Sequence, residues 1–334
     1  MTVVELMYYI GYAAKKKFAI ARRQRLSAKV ISIGNLTVGG TGKTPATIAV
    51  SEEAKRRGYK PIILTRGYMG KARGASLVSD GTSIMLDTEH AGDEPLVMAR
   101  SLKNVPVVKS ADRYQGGLLA FQHFGDSSDQ LLFILDDGFQ HWRLQRDVDV
   151  VLIDGQKGFG NKRLLPCGPL RSPLSELKDA DIIVISRTRN DLLTNEIRKF
   201  NKDAPIFFAT HEIAGVVQSN GTAVDPAVLK GWRVMAFCGI ANPESFQKII
   251  SALGCEIAEI RQFRDHHRYR EKDIRDLEAR ARKLGAEFLL TTEKDMVKIL
   301  ELPNLPINML SIVISFNINQ EFYDNLFQMV SSSP

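Results

Sequence analysis

The segment Thr37-Val38-Gly39-Gly40-Thr41-Gly42-Lys43-Thr44 places three glycines directly before a lysine and a threonine. Glycines tolerate positive φ and let backbone amides turn inward on an anion. Lys43 can then reach the β and γ phosphates of a nucleotide, and Thr44 offers a hydroxyl to Mg²⁺. The usual phosphate-loop pattern has a glycine where this chain has Thr37, so a glycine-rich turn with a chance Lys-Thr is the competing reading. Pro45 favours the loop, because proline suits a first helical turn and a helix starting here aims its positive end at the phosphates.

Phosphoryl transfer also needs acid groups near the metal. The run Leu131–Leu135 is apolar throughout and ends in Asp136 and Asp137, which sets two carboxylates at the carboxyl edge of a buried strand, where ligands of such sheets bind. Neighbours on an extended segment point to opposite sides, so one of the pair is expected to meet the metal. Asp93 and Glu94 precede another helical pattern; either could cap it, and a carboxylate there could also accept the proton of an attacking hydroxyl. In "FRDHHRYR", Asp265, His266 and His267 sit among Arg264, Arg268 and Arg270, with Arg261 just before. A solvated basic loop competes there with contact to an anionic substrate. "LLTTEKDMVKI", residues 289–299, reads as a strand ending in a polar loop.

These groups require a frame that brings loops to one edge. From residue 29, short apolar runs alternate with helical patterns, the signature of β-α-β units around a mainly parallel sheet. Strands are expected at Val30–Ile33, Pro61–Thr65, Val105–Val108, Leu131–Leu135, Val148–Ile153 and Asp181–Ser186. Helices are expected at Pro45–Arg57, Glu94–Leu102 and Tyr114–Phe124. The rhythm weakens over 187–230 into short β-like pieces at Ile206–Ala209 and Ala214–Gln218, and resumes with Arg233–Cys238, Pro243–Leu253, Glu256–Gln262, Glu271–Leu284 and Glu287–Leu290. The division is an amino-terminal segment, 1–28; a doubly wound, P-loop NTPase-like parallel domain, 29–200; a linker, 201–230; and a smaller α/β domain, 231–334.

The chain has 334 residues, 44% of them hydrophobic and 25% charged, with a formal charge of +7; this composition suits a folded protein that meets phosphates. Cys167, Cys238 and Cys255 form no paired motif, which argues against a disulfide framework or a thiolate metal cluster. No run reaches the length of a spanning helix. Val3, Leu6, Met7 and Ile10 share helical spacing ahead of Lys15, Lys16, Lys17, Arg22, Arg23 and Arg25. Such a helix could lie in an anionic membrane interface or pack on the domain with a solvated basic end.

Taken in order, "ISIGNLTVGGTGKTP", "LTRGYMGKARG", "AGDEPLVMA", "ADRYQGG", "ILDDGFQHWRLQRDVDVVLID", "RLLPCGPLRSPL", "FCGIANPESF", "FRDHH" and "LLTTEKDMVK" resemble the tetraacyldisaccharide 4'-kinase family of lipid A biosynthesis. That family uses the Thr37 variant of the loop. The resemblance implies two α/β/α domains and transfer of the ATP γ-phosphate to the 4' hydroxyl of an acylated glucosamine disaccharide 1-phosphate, with Mg²⁺, at the cytoplasmic face of the bacterial inner membrane. By matching motif it implies Lys43 and Thr44 as phosphate and metal contacts, Asp136 and Asp137 as metal-side acids, and Asp93 as base with His266 as partner and His267 as rival. Arg66, Tyr68, Arg113 and Arg171 are implied at the substrate, and Glu94 and His141 belong to the same motifs. It also turns residues 1–28 into the expected docking element for an anionic membrane. No nucleic acid or protein partner is expected.

Two other readings remain open on the sequence. A GTPase or soluble small-molecule kinase would share the loop; "TEKD", Thr292–Asp295, resembles a guanine motif but lies in the second α/β unit. A nucleotide-sensing or nucleic-acid-binding protein would carry aromatics interleaved in a basic groove, and no such stripe is present.

Overall fold

The computed structural model describes residues 2–125, 130–303, 305–306 and 308–333. Strands β1 (Lys29–Gly34), β2 (Lys60–Thr65), β4 (Val107–Lys109), β5 (Leu131–Asp136), β6 (Val148–Asp154) and β7 (Ile182–Ser186) follow the apolar runs to within a residue or two. They lie in the order β7-β6-β1-β5-β2-β4 and pair in parallel, with the short β3 (Ser76–Ser79) antiparallel at the edge. The strands are mainly apolar because both faces are covered. Ile31, Ile33, Leu132 and Ile134 join Ala46, Val50 and Ala54 of helix α2 (Lys43–Arg56) in one core. Val30, Phe133 and Leu135 turn to the opposite face beside Ala120 of α5 (Arg113–Phe124).

The expected linker is largely sheet. Its two short β-like pieces are one strand, β8 (Ile206–Gln218). Residues Ile206–Ala209 pair in parallel with β7, and Ala209–Gln218 pair antiparallel with β13 (Met309–Ile318). Beyond β13 the sheet continues through β12 (Phe288–Thr292) and β10 (Arg233–Cys238) to β11 (Glu256–Gln262), all in parallel. Helices α7 (Pro243–Ala252) and α8 (Glu271–Leu284) cover the two faces of this second part. The chain then returns: Phe322, Leu326, Phe327 and Val330 of α10 (Gln320–Ser332) enter the same core as β1 and α2. The final elements therefore pack on the phosphate-loop half, although the sequence assigned all of 231–334 to the smaller unit. Period-2 and period-3.6 patterns report which face is apolar, not which sheet covers it.

Helix α1 (Val3–Ala21) opens with a capping box between Thr2 and Glu5. Glu5 is buried, and its carboxylate accepts from the Arg163 guanidinium at 2.8 Å and the Leu164 amide at 3.1 Å. Tyr8 donates to the Arg171 carbonyl at 2.9 Å, and Tyr12 meets Trp142 edge-on. The helix is thus anchored on one side. Val3, Met7, Ile10 and Phe18 remain 58–74% exposed on the rest of its surface. No helix of the described residues is long and apolar enough to cross a membrane.

Candidate active site

Helix α2 begins one residue after Gly42, whose φ of 88° places it in the left-handed region. The loop ahead of it is fixed from outside. The Val38 amide donates to the Pro169 carbonyl at 2.8 Å, and Thr37 forms an isolated antiparallel bridge with Leu170. Ser186 Oγ donates to the Thr41 carbonyl at 2.9 Å, and Arg187 donates to the Gly40 carbonyl at 3.0 Å. Asn35 donates to Thr41 Oγ1 at 3.1 Å. A Cβ on Gly39 or Gly40 would meet nothing within 4 Å, so those two residues face open space. The Gly40 and Thr41 carbonyls are held by the protein and the Val38 amide is spent on Pro169, so the amides left for a phosphate are those from Gly39 to the α2 amino end. Lys43 and Thr44 are the first two helical residues, at the mouth of the loop.

Beside β1, strand β5 delivers the two acids, and their surroundings differ. Asp137 has φ 54° and accepts both guanidinium nitrogens of Arg171, at 2.8 and 2.7 Å, with Lys43 Nζ 3.5 Å away. Burial alone would raise its pKa, but Arg171 and Lys43 hold the carboxyl well below the usual carboxylate range. Asp136 is fully buried beside it. Its Oδ2 accepts from Thr65 Oγ1 at 3.0 Å, while Oδ1 has no hydrogen-bond partner among the described residues. Burial, then the charges of Glu94 and Asp137, push Asp136 up to about 7. An unpartnered buried carboxylate oxygen next to a second acid and a threonine hydroxyl is a donor set that fits a hard oxygen-seeking cation such as Mg²⁺.

Arg113 and His141 sit behind these acids. Arg113 is buried and donates to the carbonyls of Ser110 at 3.1 Å and Asp136 at 3.2 Å, so it braces the end of β5 from beneath. Its backbone amide donates to His141 Nε2 at 3.3 Å, and burial first, then the nearby Arg113 charge, lower the His141 pKa to about 3. Arg171 likewise spends its guanidinium on Asp137 and Asn35. Arg66 and Tyr68 are exposed, on the loop that follows β2.

The second cluster joins the two halves of the chain. Asp93 starts helix α4 (Asp93–Ser101), and its Oδ2 accepts from His266 Nδ1 at 2.9 Å. His266 has φ 57°, in the sparsely populated region that functional sites often hold. Its amide donates to the Gly239 carbonyl at 3.1 Å, and its ring lies 5.7 Å from that of Tyr68. The neighbouring His267 points elsewhere, stacking on Phe263 and contacting Asp273 at 3.2 Å. Of the two histidines, His266 is therefore the one at Asp93. The polar loop expected after β12 is helix α9 (Glu293–Ile299), capped by the Thr292 side chain. That helix brings Lys298 Nζ to 3.7 Å from Asp93 Oδ2, and Lys294 Nζ to 3.6 Å from Glu94 and 3.5 Å from His266 Nε2. Burial works to raise the Asp93 pKa, but the His266 hydrogen bond and then the Lys298 and Lys294 charges hold it below the ordinary value.

Asn35, Ser186, Arg187, Lys294 and Lys298 were not singled out as site residues from the sequence. Only the last two carried a signal, the i, i+4 lysine spacing within "TTEKDMVK", and it emerges only once that segment is known to be helical.

A phosphate loop on a central parallel strand, paired acids on the next strand and a carboxylate–histidine pair beyond them define a P-loop phosphotransferase of the nucleotide-dependent kinase class. A profile of the Tetraacyldisaccharide-1-P 4'-kinase family matches residues 1–331. The tetraacyldisaccharide 4'-kinase of Syntrophus aciditrophicus is 37% identical, covering 99% of this chain and 92% of its own. That of Geobacter metallireducens is 40% identical over 84% and 81%. A crystal structure of LpxK from Aquifex aeolicus in complex with ATP, 31% identical, superposes with a TM-score of 0.78 over 98% of this chain and 97% of that one. The chain belongs to the tetraacyldisaccharide 4'-kinase family.

Proposed function

We propose that the cleft between α2, α4 and the loop 263–268 transfers the γ-phosphate of ATP to the 4' hydroxyl of a tetraacyldisaccharide 1-phosphate, the lipid A precursor, through the residues described above. The observation that carries the residue assignment is the 2.9 Å contact between Asp93 and His266, which unites the two halves of the chain at the start of α4. The loop amides from Gly39 to Thr44 bind the β and γ phosphates, and Lys43 balances their charge. Asp93, kept ionised by His266 and two lysines, accepts the hydroxyl proton as the hydroxyl oxygen attacks phosphorus and ADP departs. Thr44, Asp136 and Asp137 would hold Mg²⁺, with the unpartnered Asp136 Oδ1 the strongest candidate ligand. When bound, the ion neutralises charge on the phosphate oxygens. Arg66 and Tyr68, exposed on the rim, are available to the anionic disaccharide.

The substrate is anchored in a bilayer, so an enzyme acting on its headgroup needs an interfacial surface. The exposed apolar residues of α1, with Lys15, Lys17 and Arg22 on the same helix and its end, suit the anionic cytoplasmic face of the inner membrane. The direct test is phosphorylation of a lipid A disaccharide precursor in detergent. ATP is expected to support turnover far better than GTP, and Asp93→Asn is expected to lose about 10²- to 10⁴-fold in kcat with ATP affinity retained. Strong preference for GTP, or near-normal turnover in the Asp93 variant, would refute the assignment.

A further inference from the structure

We propose that Lys109 is a positioning residue for acceptor recognition: from beneath, its side chain holds the loop 66–72 against the turn ahead of α4 and so keeps Tyr68 at the cleft. The proposal rests on the kinase reading above.

The loop that follows β2 has few attachments of its own. Arg66, Tyr68, Met69 and Lys71 are exposed, Tyr68 and Met69 to 61% and 60%. It turns tightly, the Gly70 amide donating to the Gly67 carbonyl at 3.1 Å. That turn gives Met69 a φ of 63°, a left-handed value that a residue with a Cβ resists. Two backbone bonds tie the loop to the short helix α3 (Thr88–Ala91): the Lys71 amide donates to the Glu89 carbonyl at 2.8 Å, and the Ala72 amide to the His90 carbonyl at 3.2 Å.

Lys109 supplies the hold from inside. It ends β4, where it pairs with Thr65 of β2, the residue directly before the loop. Lys109 is only 3% exposed, and it runs under the loop. A Cβ on Gly67 would stand less than 3.0 Å from Lys109 Cγ and Cδ, and one on Gly70 less than 3.0 Å from Nζ. The stem therefore passes directly beneath both glycines, whose lack of a side chain lets the loop close on it. The ammonium donates to the His90 carbonyl, the same oxygen that accepts from the Ala72 amide. One oxygen thus joins the lysine, the loop and the segment leading into α4. At the other end of the turn, a Cβ on Gly92 would press on the Tyr68 carbonyl, and the Tyr68 ring lies 5.7 Å from that of His266. Burial lowers the Lys109 pKa, and the lysine forms no ion pair among the described residues. A buried ammonium without a carboxylate is costly, and an apolar side chain would fill the same space without that cost. What the ammonium adds is the bond to His90, at the point where the loop is fastened.

The experiment compares full-length wild type with Lys109→Met, which keeps the stem and removes the ammonium. Limited trypsin digestion without substrate reads the loop directly, since Arg66, Lys71 and Arg73 are exposed cleavage points. Loss of a hydrogen bond from a charged donor is expected to raise loop opening, and with it the cleavage rate at these residues, about 10- to 150-fold. In detergent with MgATP, KM for the lipid disaccharide should rise about tenfold, as when about one loop in ten is competent to bind. Affinity for a fluorescent ATP analogue should not change, and kcat at saturating lipid should fall less than about threefold. In a Tyr68→Ala background, adding Lys109→Met should raise KM less than about twofold, because the lysine acts through that loop residue. Wild-type cleavage of the loop, a wild-type lipid KM, or an equal rise in KM in both backgrounds overturns the proposal. Should Lys109→Met not fold, Lys109→Gln is judged on the same readouts. Absence of wild-type turnover would instead count against the kinase reading, and the digestion assay, which needs no substrate, still tests the hold on the loop.

Discussion

Gly42 gives the most demanding quantitative test of the loop geometry. It combines a left-handed backbone, φ 88°, with direct contact to the His211 ring: a Cβ at this position would stand less than 3.0 Å from both Cε1 and Nε2 of the imidazole. The ring lies beside Phe316, 6.2 Å between centroids, and would have to turn aside to admit the Cβ. For Gly42→Ala the left-handed backbone costs about 1 to 2 kcal/mol. Overpacking against the ring adds about 1 to 3 kcal/mol. The total of about 2 to 5 kcal/mol corresponds to about a 30- to 5,000-fold change in an equilibrium constant. It will be divided between folding stability, read by urea unfolding, and ATP affinity, read with a fluorescent nucleotide. The two contributions separate in a double-mutant cycle. In a His211→Ala background the steric part disappears and the backbone part of about 1 to 2 kcal/mol remains. A Gly42→Ala protein within about 0.5 kcal/mol of wild type by both measurements would refute the reasoning. An equal cost in both backgrounds would show that the ring is not the obstacle.

Other outcomes follow from the same structure. In metal- and nucleotide-free protein Asp136 has its pKa raised, from 3.8 to about 7, so the stability it contributes is complete below about 4 and is lost as pH rises through about 7. The stability of Asp136→Asn relative to wild type should therefore grow between pH 5.5 and 8; a difference independent of pH would contradict the raised pKa. Asp93 and Asp137 have lowered pKa values and contribute stability above about pH 4 that is lost on further acidification, so they do not blur that window. Met7→Asp with Ile10→Asp, both at exposed positions of α1, should reduce co-sedimentation with anionic vesicles about tenfold or more. The melting temperature should hardly change. Unchanged vesicle binding would remove α1 as the docking element.

Much of the first half was legible from the chain. The apolar runs at β1, β5 and β6 located strands because a parallel sheet covered on both faces is mostly apolar along its strands, with Ser32 and Asp149 the buried polar residues in the interior of these three. The polar residues that ended those runs were consequently the candidate site residues: Asp136 and Asp137 at the end of β5, and the loop after β1. Asp93 was legible as a candidate but could not be separated from a helix cap. The second half was harder. Two short pieces around 206–218 hid the long strand β8, because its alternation weakens where it leaves one set of partners for another. Residues 293–299 read as a polar loop because α9 is short and carries its lysines on the face turned to Asp93.

The sequence by itself determined the chemistry that is local in the chain: the glycine loop with Lys43 and Thr44, the Asp-Asp strand end, the amphipathic basic helix at the start, and the family. These depend on residues within a few positions of one another, where backbone geometry fixes what neighbours can do. Only the tertiary structure decided the relations among distant residues. It put His266 rather than His267 on Asp93, and separated a charge-satisfied Asp137 from an Asp136 with an open oxygen. It also brought Lys298 between two buried acids and returned α10 to the core of the first half. Those outcomes rest on desolvation and on the pairing of strands far apart in sequence, neither of which local patterns can express.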